Sequence, residues 1–483
     1  MNIQPGDTTR VEDLERLTAF RRDFVGCLTR RADALFEACE AVLCAGGPVT
    51  SLAGLSTELV FHRGHGALYD ALACGSIDQV ALGRLLADSW VPTDTGPVKV
   101  GIDVSVWDRP DAETSPQRCH CYHSCRCDGA RKTIPGWPFS FAAGIEWGTT
   151  SWTIPLDAVR LGPDDDATLI TVEQITRVRE TLDHAGHLAR RPAPVFVFDA
   201  GYDLTRISYQ MGAQGLDVQI LGRIRADRVY YAAPAPAHAS SVGRPSRHGN
   251  RFELADPATH PVPDDALIGH NLRYGKVQVS AWHGLHQKLS RQGGWAQHTG
   301  QLPVVTGTLI RIQVEHLPGA GGTRTPKDLW LWHTAPEGTI FDLDLLWKTY
   351  LRRFDLEHTF RFFKQQLGWR TPQIRTTEQG ERWTWLILTA YTQLRLGASL
   401  TQDLRRPWER PLPPDRPATP GRVRRGFANL VRKLPATTRM PKPSRPGPGR
   451  PLGTSRPPRP RYPVGRNQTK PDTAKSATTT PTG

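Results

Sequence analysis

From about residue 10 to residue 90 apolar positions recur at helical spacing with few breakers, as in "VEDLERLTAFRRDFVGCLTRRADALFEACEAVL". A helical region is predicted, ending at the linker "VPTDTGP" at 91–97. The period then changes to two. In "VKVGIDVSVWD" Val98, Val100, Ile102, Val104 and Val106 face one side, and Lys99, Gly101, Asp103, Ser105 and Trp107 the other. This predicts a half-buried strand with Asp103 at its middle, on the less apolar face. "WPFSFAAGIEW" and "SWTIPLDAVRL" read as two strands joined through "GTT", and "DATLITVEQITRVRETLDHAGHLA" as a helix. "APVFVFDAGYD" is a short apolar run ending in Asp199, the pattern of a buried central strand with a carboxylate at its C-terminal end. A helix in "DLTRISYQMGAQ" and a strand in "VQILGRIR" follow.

Residues 226–335 turn β-rich, with "RVYYAAP", "GKVQVSAWHGL", "LPVVTGTLIRIQVEHL" and "KDLWLWHT". "YLRRFDLEHTFRFFKQQLGW", from Tyr350 to Trp369, predicts one amphipathic helix. At roughly 100° per residue, Tyr350, Arg353, Glu357 and Lys364 fall within about 60° of arc. They form one polar stripe, which is either a solvated face or part of an active site. An apolar helix in "ERWTWLILTAYTQLRLGASL" closes the pattern.

Composition changes the picture at the C-terminus. Residues 405–483 hold 19 Lys and Arg against 3 Asp and Glu, more positive charge than the +14 of all 483 residues, so the rest is close to neutral. This segment is rich in Pro, Gly, Ser and Thr and is expected to be a disordered basic tail suited to a nucleic-acid partner. Gly449-Arg450-Pro451 within it resembles the core of an AT-hook, although Pro448 stands where an Arg would precede the Gly. No apolar run of membrane-spanning length or signal-peptide core is seen, so a cytoplasmic location is expected. The eight Cys do not form a secreted disulfide framework. The cluster "CHCYHSCRC", with Cys119, His120, Cys121, His123, Cys125 and Cys127, has Cys pairs spaced more tightly than usual for zinc, and a loop of reduced thiols is expected.

The order strand, strand, strand, helix, strand, helix, strand matches a ribonuclease-H-like arrangement. Its later helix would deliver a third carboxylate, Glu357, to Asp103 and Asp199. Three carboxylates suit two Mg²⁺ ions, with Mn²⁺ as a substitute, because such ions take hard oxygen ligands and leave room for water and phosphate. Tyr350, Arg353 and Lys364 would then face DNA, Arg353 by bidentate phosphate contact and Lys364 as a point charge.

The helix reads Tyr-x2-Arg-x3-Glu-x6-Lys and resembles the signature of one large group of bacterial insertion-sequence transposases of the DDE superfamily. "FDAGYD" (Asp199, Gly201, Tyr202) resembles that group's second motif and "GIDVSVWD" its first, so the resemblance spans about 98–400. It implies an α/β ribonuclease-H-like mixed sheet in two parts, 97–225 and 336–404, around a β-rich insertion, 226–335. A helical N-terminal domain, 1–96, with possible DNA binding, and the tail, 405–483, complete the chain. Implied with it are metal-dependent cleavage at transposon ends, strand transfer into target DNA, a homodimer in the active complex and association with the nucleoid. Whether flanking DNA leaves through a hairpin stays open. In such proteins a Trp of the insertion can stack on a flipped base; Trp282, Trp330 and Trp332 are candidates here, although an aromatic at such a position is more often core. The alternative is a transposase-derived DNA-binding protein, or a decayed copy that does not cut.

Overall fold

The computed structural model describes residues 5–122, 133–236, 245–318, 325–413, 416–442, 451, 453–454 and 458–465. His123, Cys125, Cys127 and Arg450 lie outside the described residues, and with them the thiol-cluster and AT-hook expectations. Helices α1 (Pro5–Gly26), α2 (Ala32–Cys44), α3 (His65–Cys74) and α4 (Gln79–Asp88) open the chain. Strands β1 (Lys99–Asp108), β2 (Cys119–Tyr122), β3 (Thr133–Ile145) and β4 (Thr153–Arg160) follow, then α5 (Ala167–His184), β5 (Val195–Phe198), α6 (Leu204–Ala213) and β6 (Gln219–Ile224). Next come β7 (Val229–Tyr231), β8 (Arg251–Glu253), β9 (Asp265–Asn271), β10 (Gly275–His286), β11 (Thr306–Val314) and β12 (Leu329–Thr334). Helices α7 (Leu343–Arg352), α8 (Phe354–Gln365), α9 (Thr377–Leu396) and α10 (Pro420–Val431) complete the order. Among the described residues no helix is long and apolar enough to cross a membrane.

The chain divides into two compact units. The first comprises Met1–Pro163, Gln174–Pro194 and Leu351–Arg466. In it β1 pairs antiparallel with β3 from Lys99↔Ile145 to Asp108↔Gly136, and both β4 and β2 pair with β3. The alternation expected of β1 is only half realised. Lys99 to Ile102 are buried without a break, and Trp107 is buried on the face expected to be the less apolar one. The reason is α8, which covers that face. A Cβ on Gly101 would lie 2.8 Å from Leu356 Cδ1 and 3.1 Å from Ile145 Cδ1, so only glycine lets the helix sit this close. Beyond it Trp107, Phe139, Phe141 and Phe360 gather around Trp369 and one another, with ring centroids 5.2–5.9 Å apart for Trp107–Trp369, Phe141–Trp369 and Phe141–Phe360.

The expected boundary near residue 97 is no boundary in packing. Leu17, Phe24, Leu35, Val42, Leu72 and Leu86 of α1–α4 share one apolar cluster with Trp385, Leu386 and Leu394 of α9 and with Leu356 and Phe363 of α8. Helix α2 is surrounded on all sides, so even Glu37 and Glu40 are buried, and arginines answer both. Arg63 lies 3.3 Å from Glu37, while Arg21 pairs with Glu40 and donates at 3.1 Å to Gln393 of α9.

Residues 405–483 are not wholly a tail either. "GRVRRGFANLV" is amphipathic and forms most of α10, which buries Val423, Phe427 and Leu430 in the same cluster. Arg424 donates to the carbonyls of Val42 (3.0 Å) and Gly47 (2.9 Å), satisfying acceptors at the C-terminal end of α2. Farther on, Gly465 bridges in parallel to Cys119, and Tyr462 N–H donates to the Glu113 carbonyl at 2.9 Å.

In the second unit, Asp164–Glu173 and Val195–Tyr350 among the described residues, β5 runs parallel to β6, with α6 between them in sequence. β6 pairs antiparallel with β12, which continues through β11 and β10; β9 pairs with β10, as does β7, and β8 extends β7. The β-rich insertion is therefore the continuation of the β5–β6 sheet, joined to it directly by β12. Trp282, Trp330 and Trp332, the three candidates for base stacking, are all buried. Trp282 and Trp330 lie 5.7 Å apart under the Arg311 guanidinium, and Trp332 stacks on Tyr230 at 5.5 Å. They fill the core of this unit.

Phe427→Ala is expected to destabilise the protein by about 3–5 kcal/mol, as for any fully buried Phe, measured by urea unfolding. A loss within error would mean that α10 does not seal the first unit.

Candidate active site

Asp103 reaches the site because β1 carries it on the face that Gly101 opens to α8. The stretch predicted as one helix from Tyr350 to Trp369 is two, α7 and α8, with Arg353 at the junction. No Gly or Pro marks the break. It falls instead at consecutive arginines that tertiary acceptors hold. Arg352 donates to the carbonyls of Gly148 (3.1 Å) and Thr150 (2.9 Å) and pairs with Asp355 at 2.7 Å. Arg353 places Nη1 3.0 Å from Asp103 Oδ2 and Nη2 3.7 Å from Glu357 Oε1.

Within the first unit the structure thus brings Asp103, Arg353 and Glu357 together. The side chains are 20%, 8% and 43% exposed, respectively. Asp355 and Glu357 stand in the first turn of α8, where the helix dipole favours negative charge. Two carboxylates converging on one buried guanidinium form a cluster of hard oxygen donors that calls for positive charge. In donor type this fits a divalent cation. Among the described residues, no group of three or more His, Cys, Asp and Glu is gathered closely enough to hold an ion.

The other predicted residues are placed as follows. Asp199 belongs to the second unit, half-buried directly after β5. Tyr350 is buried in the last turn of α7, not on an exposed stripe, and it too falls in the second unit. Lys364 lies on α8 two turns past Glu357, its Nζ 6.0 Å from the centre of the Trp369 ring. The neighbouring aspartates have structural partners. Asp108 pairs with Arg370, Asp355 pairs with Arg352, and Asp203 caps α6 by accepting from Arg206 N–H at 3.0 Å. Burial raises the Asp203 carboxyl pKa, and the Arg206 N–H opposes the shift. The sequence reading missed the pairing of Arg353 with two carboxylates; the i, i+4 spacing to Glu357 was visible, but the contact with Asp103 was not.

Burial pulls Lys364 down from its ordinary pKa of 10.5 to about 8, with Arg370 adding to the effect and Asp108 and Asp103 opposing it. Its folded pKa lies below the unfolded one, so holding it charged costs stability fully below pH 8, and the cost vanishes as pH rises toward 10.5. Lys364→Met should therefore stabilise the protein by about 1–2 kcal/mol at pH 7, after discounting for partial exposure. The gain should shrink steadily above pH 8, as urea melts across pH 7–10 would show. An equal effect at both ends would remove the electrostatic account.

Comparison with known proteins gives three findings. Residues 23–288 match the family model described as DDE superfamily endonuclease, a stretch that contains both Asp103 and Asp199. No curated protein matches the chain at a significant level. Among solved structures it resembles the piggyBac transposase synaptic complex with hairpin DNA, at 8% identity and a TM-score of 0.37 over 83% of this chain and 76% of that one, a likeness too loose to carry an argument. The family match covers more than half of the sequence, and this chain belongs to the DDE superfamily endonuclease family.

Proposed function

We propose that the chain is a DNA transposase that cleaves at transposon ends and joins them to target DNA. The observation that carries this reading is the convergence of Asp103 and Glu357 on one cationic point, in a chain of the DDE endonuclease family. On this reading Asp103, Asp199 and Glu357 hold two Mg²⁺ ions, for which Mn²⁺ substitutes. Asp199 enters through its motif and its place at the end of β5. The ions supply the Lewis acidity that an in-line displacement at phosphorus needs.

The protein's own groups do the rest. Arg353 and Lys364 lie on the same helical stretch as Glu357 and grip phosphate, Arg353 through its planar fork and Lys364 through its charge. Lys364 is partly desolvated, so an incoming phosphate strengthens its hold on its proton. The aromatic cluster behind Trp369 fixes the far end of α8. The whole is read as a ribonuclease-H-like catalytic domain of the insertion-sequence group with the Tyr-x2-Arg-x3-Glu-x6-Lys signature. It would act as a homodimer at the nucleoid, and the basic segment after residue 404 would add phosphate contacts.

Purified protein should nick DNA carrying the sequences that flank its reading frame only with Mg²⁺ or Mn²⁺ present. Robust cleavage in excess chelator would sink the two-ion reading, whereas binding without nicking in any metal would favour the non-cutting alternative.

Asp103→Ala, Asp199→Ala and Glu357→Ala should each abolish nicking yet leave the circular dichroism and DNA binding nearly intact. Asp108→Ala, Asp203→Ala and Asp355→Ala should retain substantial nicking and instead lose stability. For Asp203 the loss should be about 1 kcal/mol, the worth of a helix cap. A dead Asp355→Ala beside an active Glu357→Ala would reverse the assignment.

A further inference from the structure

We infer that the loop at 403–410, between α9 and α10, is a docking surface for an unpaired DNA base. Trp408 is the stacking platform, and Arg405, Arg406 and Arg410 meet the phosphates on either side of the base. This rests on the reading of DNA as substrate and deepens it.

Three observations carry the inference. The first is exposure. Trp408 is 76% exposed. Trp147 is 37% exposed, with the Lys99 ammonium 4.8 Å from its ring centre, and every other tryptophan of the chain is buried. An indole left in water forgoes a large apolar burial. The second is bracing. Arg422 of α10 pairs with Asp403 at 3.0 Å and donates to the Arg410 carbonyl at 2.7 Å. Arg425 of α10 pairs with Glu409 and donates to the Leu404 carbonyl at 3.1 Å. Glu409 also accepts from the Arg406 N–H at 3.1 Å, and Pro407 restricts the backbone next to the indole. The platform is therefore held in place before a ligand arrives, which lowers the ordering cost of binding. The third is charge. Both acids of the loop are committed to α10. Arg405, Arg406 and Arg410 are exposed and form no ion pair among the described residues. The Arg406 guanidinium lies 5.7 Å from the centre of the Trp408 ring.

A flat apolar ring set among uncommitted guanidinium groups is complementary to a ligand with a π face and negative charge a few ångströms away. A nucleotide carries both. Its base must be unpaired and unstacked, because a base inside a duplex has both faces covered by its neighbours. An acidic peptide would match the charge but leave the indole without a planar partner. The basic segment after residue 404 thus holds a built contact for single-stranded DNA, beyond its general attraction for phosphate.

The test is binding by the full chain in chelator, followed by fluorescence anisotropy. The labelled probes are poly(dT), a blunt duplex carrying the sequences that flank the reading frame, polyglutamate, and vesicles containing phosphatidylserine. The proteins are wild type, Trp408→Ala, Trp408→Phe and Arg410→Ala. Trp408→Ala should lose about 10-fold in affinity for poly(dT), within the range for one stacked base, and should bind the duplex nearly as wild type does. Trp408→Phe should recover most of the loss, since it restores an aromatic face; it carries the test if the alanine variant does not fold. The salt dependence on poly(dT) should be unchanged in Trp408→Ala and shallower by roughly 0.7 in log–log slope in Arg410→Ala, as for one phosphate contact. Poly(dT) affinity unchanged in Trp408→Ala, beside clear DNA binding by wild type, would overturn the platform and leave the transposase reading standing. Equal losses on strand and duplex, or a loss confined to polyglutamate or to vesicles, would do the same. Failure of wild type to bind either DNA would overturn both.

Discussion

The seat of α8 on β1 is the contact on which the candidate site depends. Leu356 drops onto Gly101, where any side chain would collide with it. Asp103 lies two residues farther along the same face of the strand, and Arg353 and Glu357 flank Leu356 on the helix. A hydrophobic contact with no chemistry of its own therefore sets the spacing of the charged groups. The same helix is pinned again where Phe360 and Phe363 meet Phe141, so its tilt is held at two places. Close packing of this kind transmits errors of a fraction of an ångström, which is why the polar groups rest on it.

Within the first unit the acidic groups Asp108, Asp355 and Glu146 have arginine partners. Glu357, the most exposed of the three groups at the Arg353 bridge, stands at the longer contact. Lys364 extends the positive side of the site toward Arg370, in surroundings dry enough to lower its pKa.

How much of this was legible follows from the kind of signal each element carries. Strands β1, β3, β4 and β5 and helix α9 were readable because their apolar patterns are strong and local. Asp199 follows directly on the apolar run of β5, which was readable, whereas the cap that Asp203 gives α6 was not. The break at Arg353 was not readable, since tertiary ion pairs rather than Gly or Pro produce it. Helix α10 was hidden by averaging: its amphipathic turns are embedded in a segment whose overall composition is that of a disordered chain. The tryptophans of the second unit were ambiguous because an aromatic at strand spacing looks alike in a core and on a platform. The absence of a boundary near residue 97 could not be seen at all, because the surfaces that merge there lie some three hundred residues apart.

That separation shapes how the chain acquires its structure. Arg424 donates to Val42 across 382 residues, and Arg21 to Gln393 across 372. On a ribosome the first helices emerge long before the partners that cover their apolar faces. They must wait through the synthesis of the 372 residues that separate Arg21 from Gln393 with those faces uncovered or provisionally paired. Contacts of such range make for slow folding and for aggregation-prone intermediates. The chain's first segment is thus among the last to be sealed, and its solubility during synthesis depends on how well nascent helices tolerate the delay.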